Sequence, residues 1–106
     1  PKHTFIGTDI DWDTVHPEKI IIESGVRITA RTSILTHFIN PQNGDYTCGE
    51  VRIKKNAFIG TGTIITKPVT IGERVIVGAG SIVTKNIPDD EVWAGNPARF
   101  IRKRNL

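Results

Sequence analysis

The chain has one cysteine, no methionine and few aromatic side chains, and these shortages exclude several classes of protein. A single thiol, Cys48, cannot form a disulfide within the chain or build a cysteine-based metal site. No apolar run approaches the roughly 18 residues of a membrane-spanning helix. The net charge of +3 is small, and no aromatic cluster accompanies the basic residues, so nucleic-acid binding is not indicated. A lone thiol suits a reducing compartment, so we expect a cytoplasmic protein.

A length of 106 residues predicts one domain, spanning 1–106. The chain begins at Pro1 and lacks methionine, which is compatible with a missing N-terminal portion. His3 and His16 have no partner at the spacing of a metal-ligand pair, so no metal site is predicted.

An aliphatic side chain recurs every six residues through most of the chain. A second set, four residues after the first, is small or β-branched except at Phe38. A period of six fits neither a helix nor a continuous strand, and indicates a short strand and a corner, repeated. The sequence therefore predicts an all-β fold, a β-solenoid of about four coils. The aliphatic series is Ile22, Ile28, Ile34, Ile53, Ile59, Ile65, Ile71, Val77 and Val83.

The period is interrupted in three places. Residues 11–17 break the frame before the series begins. Ile53 follows Ile34 by 19 residues, one more than three periods, and the turn-forming residues 40–45 lie between them. We therefore predict an inserted loop near residues 39–51. Pro88 ends the pattern, and residues 89–106 are expected to form a short non-repeat tail.

His37 is the first candidate for chemistry. It follows the core position Ile34 by three residues, so its side chain should point outward at the mouth of the loop. An imidazole can take a proton from a hydroxyl at neutral pH, although a plain surface histidine is the alternative. Asp11 and Asp13 lie about one coil upstream, and a carboxylate there could orient the imidazole or simply cap a loop. The broken frame leaves the choice between them open, with a slight preference for Asp13.

Small and basic residues near the end suggest a second group. Thr61 and Ala79 are 18 residues apart and should stack on successive coils, where they could hold an extended ligand or merely fill tight corners. Arg99 and Arg102 could pair with phosphates or form solvated surface. Trp93 could lie against a ligand or cover the end of the last coil.

The segments 71–88 and 94–99 resemble the C-terminal signature of hexapeptide-repeat acyltransferases. The likeness covers about residues 5–104 and is greatest to the galactoside, maltose and capsular-sugar O-acetyltransferase branch. It implies a left-handed parallel β-helix, against the general preference for right-handed crossovers. It also implies a homotrimer with sites between adjacent subunits, and acetyl-coenzyme A as co-substrate.

The same resemblance assigns roles to residues. Members of the family carry their catalytic histidine after a similar run just before a large loop, which implies His37 as general base, with Asp13 nearby. The positions that match the family's coenzyme contacts are Thr61, Ala79, Thr84, Lys85, Trp93, Arg99 and Arg102.

The hypothesis from the sequence is an O-acetyltransferase acting on a sugar or surface-polysaccharide precursor. One alternative is a coenzyme-binding trimerisation module without activity. The other is a protein like the γ-type carbonic anhydrases, which need three converging histidines. The acceptor is left undetermined, because its contacts come from loops such as 39–51.

Overall fold

The computed structural model describes residues 3–104, which form short strands and turns with one 3₁₀ turn at Pro17–Lys19 and no α-helix. The predicted all-β class is confirmed. Among these residues, no helix is long and apolar enough to cross a membrane. In chain order the strands are β1 (Phe5–Ile6), β2 (Asp11–Trp12), β3 (Ile20–Ile22), β4 (Arg27–Ile28), β5 (Ser33–Ile34), β6 (His37–Ile39), β7 (Tyr46–Cys48), β8 (Val51–Ile53), β9 (Phe58–Ile59), β10 (Ile64–Ile65), β11 (Thr70–Ile71), β12 (Ile76–Val77), β13 (Ile82–Val83), β14 (Glu91–Gly95) and β15 (Ala98–Lys103).

The chain visits three sheets in turn and adds one strand to each on every circuit. The first sheet has the order β1-β4-β9-β12-β14-β15, the second β13-β10-β5-β2 and the third β11-β8-β3. Within these three sheets, all pairs are parallel except β14 with β15. A regular circuit takes 18 residues, as between the paired residues Ile65 and Val83. This order describes a coil with three faces.

The core is a narrow column inside the coil. In most of the two-residue strands the second residue is buried and the first is more exposed, which explains why only one aliphatic residue per strand is needed. Buried corner residues supply the rest, and their hydroxyls are satisfied locally. Thr32 Oγ1 donates to the Thr29 carbonyl at 2.9 Å, and Thr63 Oγ1 donates to the Gly60 carbonyl at 2.8 Å. Among residues 3–104, no buried hydroxyl is left without a hydrogen-bond partner.

The inserted segment differs from its predicted form and limits. It is a hairpin in which β6 pairs antiparallel with β7, and it begins at His37 rather than at residue 39. Val51 belongs to the core: it is fully buried and pairs with Ile20. Phe38, which the period assigned to the core, is only half-buried in the hairpin, with Lys67 Nζ 4.9 Å from its ring centroid. The two hairpin strands hydrogen-bond to each other, so they need no partner in the three sheets. The coil resumes at Val51 after the hairpin.

The C-terminal tail is also more regular than predicted. β14 pairs parallel with β12 and so continues the first sheet, and β15 folds back antiparallel against β14. Trp93, in β14, is partly buried and packs against the core cluster. The last coil therefore ends under an aromatic side chain.

Successive coils approach closely at the corner that holds Gly60, so substitutions there test how the coils pack. A Cβ at Gly60 would lie 2.5 Å from Ala79 N and 2.7 Å from Val77 O, so Gly60→Ala should cost about 3 kcal/mol or more of unfolding free energy. At Gly62 a Cβ meets nothing within 4 Å, but φ is +72°, so Gly62→Ala should cost only about 1–2 kcal/mol. Urea unfolding of both variants measures the difference. A larger loss at Gly62 would contradict the packing of the coils described here.

Candidate active site

The imidazole of His37 stands where the chain leaves the second sheet and enters the hairpin. Its side chain is 28% exposed, so it can reach solvent or a ligand. The residue before it, Thr36, is fully buried and fixes the backbone at this corner. His37 therefore extends from a rigid corner of the coil, although it is the first residue of an inserted segment.

Asp13 lies beneath His37 and is 2% exposed. Its Oδ2 accepts a hydrogen bond from His37 Nδ1 at 2.8 Å and also from the backbone N–H and the hydroxyl of Thr36, both at 2.7 Å. Its Oδ1 accepts the backbone N–H groups of Val15 at 2.7 Å and His16 at 3.0 Å. Five donors thus converge on one buried carboxylate, which is enough to hold it in a single orientation.

The hydrogen bonds keep Asp13 ionised. Burial alone would raise the pKa of the carboxyl, but the donors from Thr36, His16 and Val15 outweigh it and hold the pKa well below its usual range. A carboxylate can only accept, so His37 Nδ1 must carry the proton that it shares with Asp13. The lone pair of a neutral ring then lies on Nε2, where it can accept a proton from a ligand.

Of the two aspartates that the sequence left open, Asp13 contacts His37 and Asp11 does not. Asp11 is exposed in β2, where it is paired with Ser33. Sequence reasoning did not identify two neighbours of this pair, Tyr46 and His16. The ring of Tyr46 stacks on His37, with centroids 5.9 Å apart and an angle of 19° between the planes. The signal that could have found it is the register of the hairpin.

The remaining candidates occupy several separate places in one chain. Thr61 and Ala79 lie at the corner between the first and second sheets, where Gly80 N donates to the Thr61 carbonyl at 2.8 Å. Thr84 and Lys85 lie at the next corner, between the second and third sheets, and Lys85 is exposed. His37 belongs to this second corner. One chain therefore does not bring Thr61 and Ala79 to the corner that holds His37.

The cationic side chains of β15 and of Arg104, which follows it, fall into two kinds. Lys103 Nζ lies 3.1 Å from Glu91 Oε2, and Arg104 Nη1 donates to the Arg74 carbonyl at 3.0 Å. Arg99 and Arg102 are exposed, and neither has a carboxylate partner among residues 3–104. Trp93 lies against the core, with Nε1 donating to Glu91 Oε1 at 2.9 Å. Its placement is that of a cover for the last coil.

The grouping of side chains bears on the alternative of a metal-dependent protein. Within the part of the chain that the structure describes, no three His, Cys, Asp or Glu residues are grouped so that they could hold a metal ion. Within one chain, the described histidines His3, His16 and His37 are therefore not grouped as the γ-type carbonic anhydrases require.

Comparison with known proteins agrees with the coil and its six-residue period. The sequence profile of the family described as bacterial transferase hexapeptide (six repeats) matches residues 50–85. The chain contains a hexapeptide-repeat transferase domain. The family predicted from the sequence is thus confirmed.

Three proteins illustrate the likeness. YvoF of Bacillus subtilis (strain 168), named as a candidate acetyltransferase, is 37% identical over 100 residues, which are 94% of this chain and 57% of YvoF. A mutant of AntD, an N-acyltransferase from Bacillus cereus in complex with dTDP-4-amino-4,6-dideoxyglucose and coenzyme A, is 28% identical, with a TM-score of 0.85 over 97% of this chain and 61% of that one. A maltose O-acetyltransferase from Clostridium difficile 630 is 29% identical, with a TM-score of 0.73 over 96% of this chain and 70% of that one.

The hexapeptide-repeat domain spans about half the length of the curated relatives it matches, 57% and 50%. What the whole protein does is therefore a matter for proposal.

The buried carboxylate gives a prediction that does not depend on activity. Asp13→Asn should lower the unfolding free energy at pH 7 by about 1–3 kcal/mol, since an amide cannot accept all five hydrogen bonds. The folded pKa of Asp13 lies below the unfolded value, so its stabilisation is complete above about pH 4 and is lost as the pH falls toward the folded pKa. The difference in unfolding free energy between wild type and Asp13→Asn should therefore become smaller between pH 4 and pH 2.

Urea unfolding at pH 7 and at pH 3 measures this gap. Asp11→Asn is the matched control, because Asp11 is exposed and should change stability by less than about 0.5 kcal/mol. Equal losses from the two substitutions would contradict the network around Asp13.

Proposed function

We propose that this domain is an acetyltransferase that moves an acetyl group from acetyl-coenzyme A to a hydroxyl of a sugar or surface-polysaccharide precursor, with His37 as general base. The observation that carries the proposal is the 2.8 Å contact between His37 Nδ1 and the buried, ionised Asp13. This contact favours one tautomer of His37 and leaves the lone pair of the neutral ring on Nε2, as a general base requires. The likeness to a maltose O-acetyltransferase supports the class of reaction.

The mechanism follows from the two nitrogens of the imidazole. Nε2 takes the proton of the acceptor hydroxyl as its oxygen attacks the thioester carbonyl. The resulting imidazolium is stabilised by Asp13, which stays ionised because its pKa is lowered. When the tetrahedral intermediate collapses, the coenzyme A thiolate leaves and recovers the proton from Nε2. Backbone N–H groups are expected to hold the oxyanion.

The assigned coenzyme contacts suit the parts of a long, thin ligand. Thr61, Ala79, Thr84 and Lys85 line corners where backbone groups and small side chains can meet the pantetheine arm. Arg99 and Arg102 are exposed without a carboxylate partner, and guanidinium groups pair well with phosphates. Trp93 is the weakest of these assignments, because its ring packs against the core.

The assembly completes the proposal. We propose a left-handed parallel β-helix of about four coils that forms a homotrimer. The likeness to acetyltransferases of known structure supports the helix, and the separation of Thr61 and Ala79 from the corner of His37 supports sites between subunits. Sedimentation of the chain as a stable folded monomer would contradict the trimer.

A cytoplasmic location belongs to the proposal because a lone cysteine suits a reducing compartment.

An amine acceptor is the second candidate. The structure with a TM-score of 0.85 is an N-acyltransferase in complex with an amino-sugar nucleotide. A screen of oligosaccharides, nucleotide sugars and amino sugars with acetyl-coenzyme A, read by thiol release, separates the two. The inactive trimerisation module would release no thiol with any acceptor.

His37→Ala should lower kcat by about 10²–10⁴-fold, as expected for the loss of a general base. The side chain is partly exposed outside the core, so thermal stability and sedimentation should change little. His3→Ala is the control, since His3 is exposed and has no assigned role. Retention of more than about a tenth of the activity by His37→Ala would rule out the general base.

The phosphate contacts are tested by comparing coenzyme A with dephospho-coenzyme A. Arg99→Ala and Arg102→Ala should each weaken coenzyme A by about 10–100-fold, and dephospho-coenzyme A less if the contact is to the 3′-phosphate. Equal weakening of both ligands would indicate the pyrophosphate. Lys103→Ala is the matched control, because Lys103 is already paired with Glu91 at 3.1 Å. Calorimetry measures the affinities, and no weakening by either arginine variant would remove these residues from the site.

A further inference from the structure

The hairpin carries an aromatic residue that covers one face of the imidazole. His37 is paired with Cys48, and Ile39 with Tyr46, so His37 and Tyr46 are diagonal neighbours across the two strands. Diagonal neighbours lie within reach of aromatic side chains. The rings stack with their centroids 5.9 Å apart and 19° between their planes. The hairpin thus supplies both the imidazole and the ring beside it.

A hydrogen bond ties the outer end of Tyr46 to another segment. Its hydroxyl lies 3.2 Å from His16 Nε2. A tyrosine hydroxyl is protonated at neutral pH, so it can donate this hydrogen bond. Partial desolvation, with smaller contributions from Cys48 and Asp13, raises the pKa of the Tyr46 hydroxyl further. The other ring nitrogen of His16, Nδ1, lies 3.6 Å from Glu18 Oε1.

These contacts close a ring of four residues. Asp13 binds His37 through Oδ2, His37 stacks on Tyr46, Tyr46 meets the His16 ring, and the His16 backbone N–H donates to Asp13 Oδ1 at 3.0 Å. Two segments that break the six-residue period, residues 13–16 and 37–48, are therefore joined twice. One joint is the buried carboxylate and the other is the Tyr46–His16 pair.

We propose that Tyr46 and His16 are positioning residues for His37. The inference rests on the proposed function of His37 as the base, and adds what holds its ring. A single hydrogen bond at Nδ1 fixes one atom of the imidazole but leaves the ring able to tilt about that contact. Tyr46 blocks this tilt from one face, so that Nε2 keeps its direction toward the acceptor. Misplacement of a reacting group by about 1 Å can cost 10²-fold in rate.

His16 is needed because the hairpin has little other support near Tyr46. Residues 41–48 are all exposed, and Tyr46 itself is 54% exposed. The cation–π contact of Lys67 holds Phe38, the middle residue of β6, and does not involve Tyr46 itself. The hydrogen bond to His16 is thus the contact that holds Tyr46 against the imidazole from outside the hairpin.

Kinetics with paired variants test the proposal. Tyr46→Leu removes the stacked ring and should lower kcat by about 10–100-fold with little change in KM for acetyl-coenzyme A. Tyr46→Phe keeps the ring but loses the hydroxyl, and His16→Ala removes the hydroxyl's partner. Each should lower kcat by only about 2–10-fold. The double variant Tyr46→Phe/His16→Ala should be no slower than the slower single variant, because both changes break the same contact. Fully multiplicative losses would overturn the role of His16.

A second measurement reads the position of the imidazole without turnover. Carbon-13 relaxation of the His37 ring should show increased ring motion in Tyr46→Leu, a smaller increase in Tyr46→Phe, and none in Ile39→Ala. Ile39 is the matched control, because it is the exposed cross-strand partner of Tyr46. An unchanged His37 ring in Tyr46→Leu would overturn the proposal whether or not the protein is active. Increased motion in a protein that transfers no acetyl group would instead overturn the proposed function and leave the positioning intact.

Discussion

The stacking of aliphatic side chains between successive coils is the interaction on which the rest of this structure depends. Ile34, Ile65 and Val83 are paired in register in the second sheet, so their side chains stack on successive coils. The stacked side chains form a narrow core. A small chain buries a modest share of its surface, so every position in this column matters. The column also needs a cover at its end, which Trp93 provides after the last coil.

The coil is a scaffold, but its regular repeat does not by itself create a functional site. The proposed chemistry lies where the period fails: in the segment around Asp13 and in the hairpin that starts at His37. A buried carboxylate with five donors joins these two segments to each other and to the corner at Thr36. Its ionisation depends on those donors, because burial alone would favour the neutral form. The proposed base, His37, and Asp13 are therefore held by the same hydrogen bonds that anchor the irregular segments.

The outer faces of the coil carry apolar side chains that residues 3–104 leave exposed. Phe5 and Phe58 flank Arg27 on the first sheet and are 54% and 38% exposed. A coil with three flat faces can expose such residues only on its outside, since its interior is filled by one side chain per strand. The same geometry separates Thr61 and Ala79 from His37 on different corners. Both features agree with the proposed assembly from several copies.

The sequence by itself determined the all-β class, most of the core and the place of His37, because a six-residue period fixes which side chains enter a three-faced coil. It also showed that a segment is inserted between Ile34 and Ile53, but not that Val51 returns to the core or that Phe38 leaves it. Only the tertiary structure decided which aspartate meets His37, since that contact spans 24 residues of broken period. The stacking of Tyr46 and the covering role of Trp93 were likewise decided there, because they depend on how strands pair rather than on the spacing of residues along the chain.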